Sequence, residues 1–205
     1  CAAQVTLIDD FLGVLLDLME TGLSESTVLC LISPRGYPLG EHGVVGSDCF
    51  HDFERCHGET LHVPIMIRTP NRDGYNIFRS LRSGALVQPA LVSQLLQDWF
   101  SGDAPMQQSL KNFAFRLPRK QKEIAWTKSG GVNAMQTHAW KLIADGDRKS
   151  LYVKPDDRWE VNDVSLRCPS IVAAMEGVMK DLTASGSILW PKGFELNAEL
   201  ADRLE

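Results

Sequence analysis

The sequence predicts an α/β core over residues 1–110 followed by a small α+β subdomain over residues 111–205, the latter a short antiparallel sheet with a helix. Three observations carry that expectation. An amphipathic helix leads through a short connection into five consecutive apolar residues, the α-loop-β unit from which parallel sheets are built. Between residues 103 and 122 the periodicity disappears while Pro, Gln and basic residues accumulate, as at a domain boundary. Beyond that point come short strand-like runs and one further helix.

Each element follows from its own pattern. Val5, Ile8, Leu12, Leu15, Leu16 and Met19 recur at helical spacings, giving one broad apolar stripe, and Gly22 is placed to end the helix. Val28, Leu29, Cys30, Leu31 and Ile32 form a continuous apolar run that reads as a central strand buried on both faces. It stops at Ser33-Pro34-Arg35-Gly36. Ligands in open α/β sheets sit at the carboxyl ends of strands, so the loop over residues 33–43 is the first place to look for chemistry. Residues 44–60 are polar and irregular, and residues 61–68 form a second apolar strand containing Pro64. A proline removes a ladder donor, which puts this strand at a sheet edge or Pro64 at its start.

Leu91, Leu95, Leu96 and Trp99 make residues 86–99 helical, ended by Ser101-Gly102. Later strands are expected at 123–127, 134–144 and 150–153, the last two separated by the Asp145-Gly146-Asp147 turn. The final helix, residues 169–182, is carried by Ile171, Met175, Val178, Met179 and Leu182, with Pro169 in its first turn.

Composition removes several classes of function. The 205 residues carry a formal net charge of -5, which offers no global positive field to a nucleic-acid backbone. The basic cluster Arg116, Arg119, Lys120 and Lys122 reads as a solvated linker. Asp9, Asp10 and Asp17 interrupt the most apolar segment, so no membrane span is expected. Five cysteines, Cys1, Cys30, Cys49, Cys56 and Cys168, are too few and too scattered for a disulfide framework. The chain opens without Met and runs straight into a helix, with no signal-peptide pattern, so it is expected to be a piece of a longer protein.

With the elements in this order, the chain resembles the C-terminal half of a sulfatase, in the alkaline-phosphatase superfamily. Asp9, Gly13, Leu15, Leu16 and Gly22-Leu23 are similar to the helix before that family's central strand, which Ser26-Thr27-Val28 enters. Leu39-Gly40-Glu41-His42-Gly43 matches a loop motif of the family at successive positions. The segment from Glu59 and Thr60 through Pro64 to Pro70 resembles its next strand, and Trp140-Lys141-Leu142-Ile143 with Leu151-Tyr152 resembles its small C-terminal sheet. The resemblance implies that the α/β core is part of an alkaline-phosphatase-like doubly wound sheet.

Hydrolysis of a sulfate ester attacks a group already negatively charged, so cations must surround its oxygens and the nucleophile must be activated. The resemblance implies a modified Cys or Ser nucleophile, a divalent metal, typically calcium, and Lys, Arg and His around the sulfate. It places two metal ligands where this chain has Pro34 and Arg35. Proline brings no side-chain donor, and a guanidinium does not ligate a cation. No Cys/Ser-x-Pro-x-Arg motif occurs, and Gly46-Ser47-Asp48 stands where the family carries a sulfate-contacting Lys.

The expectation is therefore a sulfatase-like protein or fragment without catalytic residues or a bound cofactor, inactive by itself. Arg35 and His42 are the candidates for a sulfated or other anionic ligand, although an exposed arginine and a structural histidine are the plainer readings. Two alternatives stand beside it. One is part of a sulfuric-ester hydrolase that needs its missing N-terminal half. The other is a zinc-dependent or anion-binding interaction module, the zinc held by Cys49, His51, Cys56 and His57, whose spacing matches no standard finger. Ser33 and Ser47 have no neighbouring base in sequence. Trp126, Trp140, Trp159 and Trp190 are either buried anchors or a carbohydrate-stacking surface. Half a doubly wound sheet exposes an edge and an apolar face, so self-association or the missing segment is the expected partner.

Overall fold

The structure is a computed structural model of the chain, described here for residues 2–21, 27–46, 56–68, 84, 86–101 and 124–185. The chain divides into two compact units, Cys1–Ile32 with Pro64–Arg82, and Ser33–Val63 with Ser83–Glu205. The Gly-Glu-His-Gly loop thus shares a unit with the C-terminal sheet. The boundary expected near residue 111 and the basic cluster at 116–122 lie outside the described residues.

The first unit holds helix α1 (Ala2–Glu20) and strands β1 (Leu29–Ile32) and β2 (Ile65–Arg68). Pro64 immediately precedes β2, where its missing N–H costs no ladder bond. β1 pairs with β2 antiparallel, Leu29 opposite Arg68 and Ile32 opposite Ile65. The expectation of a central strand buried on both faces is corrected: Leu29, Cys30 and Leu31 are half-buried and Ile32 is exposed. The physical reason is the company the strand keeps. Among the described residues its sheet is a two-stranded ribbon, in which β1 is an edge strand and not a central one, and the expected doubly wound sheet is not seen among them. The helix ends near the predicted place, and Gly22 lies outside the described residues.

The second unit contains a single helical turn, α2 (Gly58–Leu61), and helix α3 (Ala90–Phe100). Leu61 belongs to α2, so the strand expected from residue 61 begins four residues later, at Ile65. A four-stranded antiparallel sheet follows in sequence order: β3 (Ala125–Ser129), β4 (Val132–Gln136), β5 (Trp140–Asp145) and β6 (Arg148–Val153). Helix α4 (Pro169–Ala184) covers one face. The expected small antiparallel sheet with a helix is present. The single run expected over 134–144 is instead two strands, because Thr137 turns the chain: its Oγ1 accepts the N–H of Trp140 at 3.0 Å.

Period-two alternation sorts this sheet into two faces. Met135, Leu142, Ala144 and Leu151 pack against Val172, Met175, Val178, Met179 and Leu182 of α4, forming the main core. Val132, Ala134, Ile143 and Tyr152 lie in a second cluster with Cys56, from the segment just before α2. That second face positions the candidate site.

Candidate functional site

Three segments meet on the second face of the C-terminal sheet: the glycine-rich loop, the α2 turn and the loop after β6. The glycine-rich loop is a tight turn, with Leu39 bridging Val45 and the Gly43 N–H donating to the Gly40 carbonyl at 3.1 Å. Gly40 and Gly43 have φ of 122° and 74°, values that favour glycine, which explains their places on either side of Glu41-His42. Glu41 Oε2 accepts the Leu39 N–H at 2.7 Å, and such backbone donors hold this exposed carboxyl below its ordinary range. His42 is thereby presented from the tip of the turn.

Its ring stacks on that of His57, with centroids 3.7 Å apart. His42 Nδ1 lies 2.5 Å from Glu59 Oε1, and Nε2 lies 3.1 Å from the Glu160 carbonyl oxygen. Burial works against protonation of His42. Glu59 and the Glu160 carbonyl outweigh it, and the pKa is raised above 6.5.

Glu160 is the hub. Its carboxylate accepts from Lys141 Nζ at 2.8 and 2.9 Å, Lys154 Nζ at 2.8 Å, His57 Nδ1 at 3.0 Å and the Gly58 N–H at 3.0 Å. Glu160 is 2% exposed and Lys141 1%. Burial penalises the Glu160 charge, but His57, Lys141 and Lys154 hold its carboxyl well below the usual carboxylate range. For Lys141 burial dominates and lowers the pKa against the pull of Glu160. The two shifts point different ways for the charged pair. The geometry favours an ionised pair, because the ammonium faces both carboxylate oxygens. Glu160 also adopts a left-handed φ of 57°, unfavourable for a residue with a Cβ and sustained by these bonds.

The sequence-predicted residues divide accordingly. His42 and His57 are brought together. Cys56 is buried beside the sheet, while Cys49 and His51 lie outside the described residues. Pro34 and Arg35 are exposed, and the Arg35 carbonyl accepts from Ser33 Oγ at 2.6 Å. Their chemistry does not fit a divalent cation, since neither side chain offers an oxygen. Trp126 and Trp140 pack against the main core, Trp159 is exposed beside Arg158, and Trp190 and Ser47 lie outside the described residues.

His42, His57 and Glu59 bring ligand atoms within 4.8 Å of one another. At 2.5 Å, however, His42 Nδ1 and Glu59 Oε1 are closer than two ligand atoms bound to one zinc at about 2.0–2.2 Å in tetrahedral geometry. In this structure the two atoms are in hydrogen-bond contact. The residues that reading the sequence missed are Glu59, Lys141, Lys154 and Glu160 as a connected group. The available signal was Lys141, a charged residue between Trp140 and Leu142 on a strand apolar on both faces.

No protein-family model and no curated protein matches the sequence. Among solved structures the chain is similar to BT1596, a 2-O GAG sulfatase, with a TM-score of 0.57 and 16% identity over 78% of this chain. It has a sulfatase-like fold. The chain spans 37% of that sulfatase's length, and at this identity the likeness concerns the fold alone.

Proposed function

We propose that this chain is a sulfatase-like segment that supplies no catalytic group for sulfuric-ester hydrolysis. The observation that carries the reading is the exposed pair Pro34 and Arg35, without a side-chain oxygen where the resemblance places two metal ligands. His42, with both ring nitrogens turned onto acceptors of its own unit, supports it further. Two measurements test it. The purified chain is expected to hydrolyse an aryl sulfate at no more than the background rate, and to show no calcium binding by calorimetry. Calcium coordinated by residues 33–36, or turnover by the chain alone, overturns the proposal.

A second reading, that the chain completes a sulfuric-ester hydrolase whose nucleophile lies in another segment, is supported by the 37% coverage of the related sulfatase. Co-expression with such a segment and recovery of aryl-sulfate turnover decides between the two.

The partner we propose is a second copy or a further part of such a fold, docked on α1. Leu7, Phe11, Val14 and Leu18 follow a 4-3-4 spacing on one side of the helix and are 58–70% exposed. A helix apolar around so much of its circumference ordinarily faces two layers. Light scattering after size exclusion is expected to show a concentration-dependent oligomer that Phe11→Lys dissociates. Monomer at every concentration contradicts self-association.

A further inference from the structure

We propose that the His42–Glu59 contact is a proton-operated latch on the Gly-Glu-His-Gly loop, closed while the pair keeps its shared proton and released when that proton is lost. The inference does not depend on whether the chain takes part in sulfate chemistry, so it stands or falls separately from the reading above.

Counting protons carries the argument. His42 Nδ1 faces a carboxylate oxygen of Glu59, and Nε2 faces the Glu160 carbonyl. A carbonyl only accepts, and a neutral imidazole has a single N–H. Both contacts exist together as hydrogen bonds only when the pair holds one proton beyond a neutral ring and a carboxylate. That proton sits either on the imidazolium or on Glu59 donating to Nδ1. When it leaves, one of the two contacts loses its hydrogen. The Nδ1 contact ties the loop to α2, and the Nε2 contact ties it to the loop after β6.

The groups facing His42 bias this proton in a definite direction. Glu59 from α2 and the Glu160 carbonyl favour it. His57, stacked on the ring, commits Nδ1–H to Glu160. The Glu160 carboxylate is already held by Lys141, Lys154, His57 and the Gly58 N–H. Glu41, next in the chain, is exposed and turned onto the Leu39 N–H. A group whose folded-state pKa is raised contributes stability that is complete below the ordinary histidine value of 6.5. That contribution fades as the pH rises through the higher folded-state value. Release frees the 39–45 turn, whose Leu39 and Val45 side chains are 56% and 67% exposed.

The test follows the histidine rings of the whole chain by NMR between pH 5.5 and 9, with amide-exchange protection of residues 39–46 corrected for intrinsic rates. His42 is expected to titrate above 6.5. Protection should fall over the same range, by about tenfold for each pH unit by which that titration lies above 6.5. Glu59→Gln is expected to lower the His42 titration and abolish the pH dependence of protection. Should that variant fail to fold, coincidence of the two curves in the unaltered chain decides. His42 titrating at or below 6.5, or protection unchanged through its titration, overturns the latch.

Discussion

Glu160→Gln is expected to destabilise the chain by about 3–5 kcal/mol, measured by urea unfolding at pH 7. The amide keeps the shape of the carboxylate and removes its charge, leaving Lys141 at 1% exposure without its counter-charge and with Lys154 beside it. A buried ion pair adds little over an apolar replacement, because desolvation offsets much of the attraction, but a single stranded charge has no such compensation. The double variant Glu160→Gln with Lys141→Met is therefore expected to be more stable than Glu160→Gln alone. A single-variant loss below about 1 kcal/mol, or no recovery in the double variant, would show that the cluster is solvated. The pH dependence has the opposite sign to that of His42. The Glu160 carboxyl is lowered from 4.5, so its contribution is complete above that pH and disappears only as the pH falls through the much lower folded-state value.

What the sequence made legible was whatever repeats locally. The spacing of Ile171, Met175, Val178, Met179 and Leu182 locates α4, and four of those residues are buried in the core. The strand-like run over residues 134–144 takes in parts of β4 and β5 without separating them. The turn between β4 and β5 escaped because Gln136-Thr137-His138-Ala139 lacks Gly and Pro, and a threonine hydroxyl makes the turn instead. The α2 turn escaped for a related reason: Leu61, Val63 and Ile65 alternate like a strand, although Leu61 lies in the helical turn. The Glu160 cluster was beyond local patterns altogether. His57 and Glu160 are 103 residues apart, and no periodicity reports a pairing at that distance. The motif residue His42 was visible, but its partners were not, so its place in a hydrogen-bonded clasp emerged only from the fold.

Gly36→Ala is expected to have the other large effect, because the obstacle is backbone. A Cβ at Gly36 would stand 1.8 Å from the Glu59 carbonyl oxygen and 2.8 Å from its carbon. The Gly36 N–H also donates to the Thr60 carbonyl at 2.7 Å, so the two segments cannot separate without losing that bond. Relief requires moving the loop or α2, and either movement pulls Glu59 from His42. A loss of about 2–3 kcal/mol is expected, together with a fall in the His42 titration seen by NMR. Gly177→Ala is the matched control. Its added Cβ meets nothing within 4 Å, and alanine favours the interior of α4, so a gain of up to about 1 kcal/mol is expected. If Gly36→Ala instead matches the unaltered chain in both stability and His42 titration, the two backbones do not meet as closely as the clasp requires. A stability loss without a titration change would separate the packing of Gly36 from the latch, locating the strain in residues 33–36 alone.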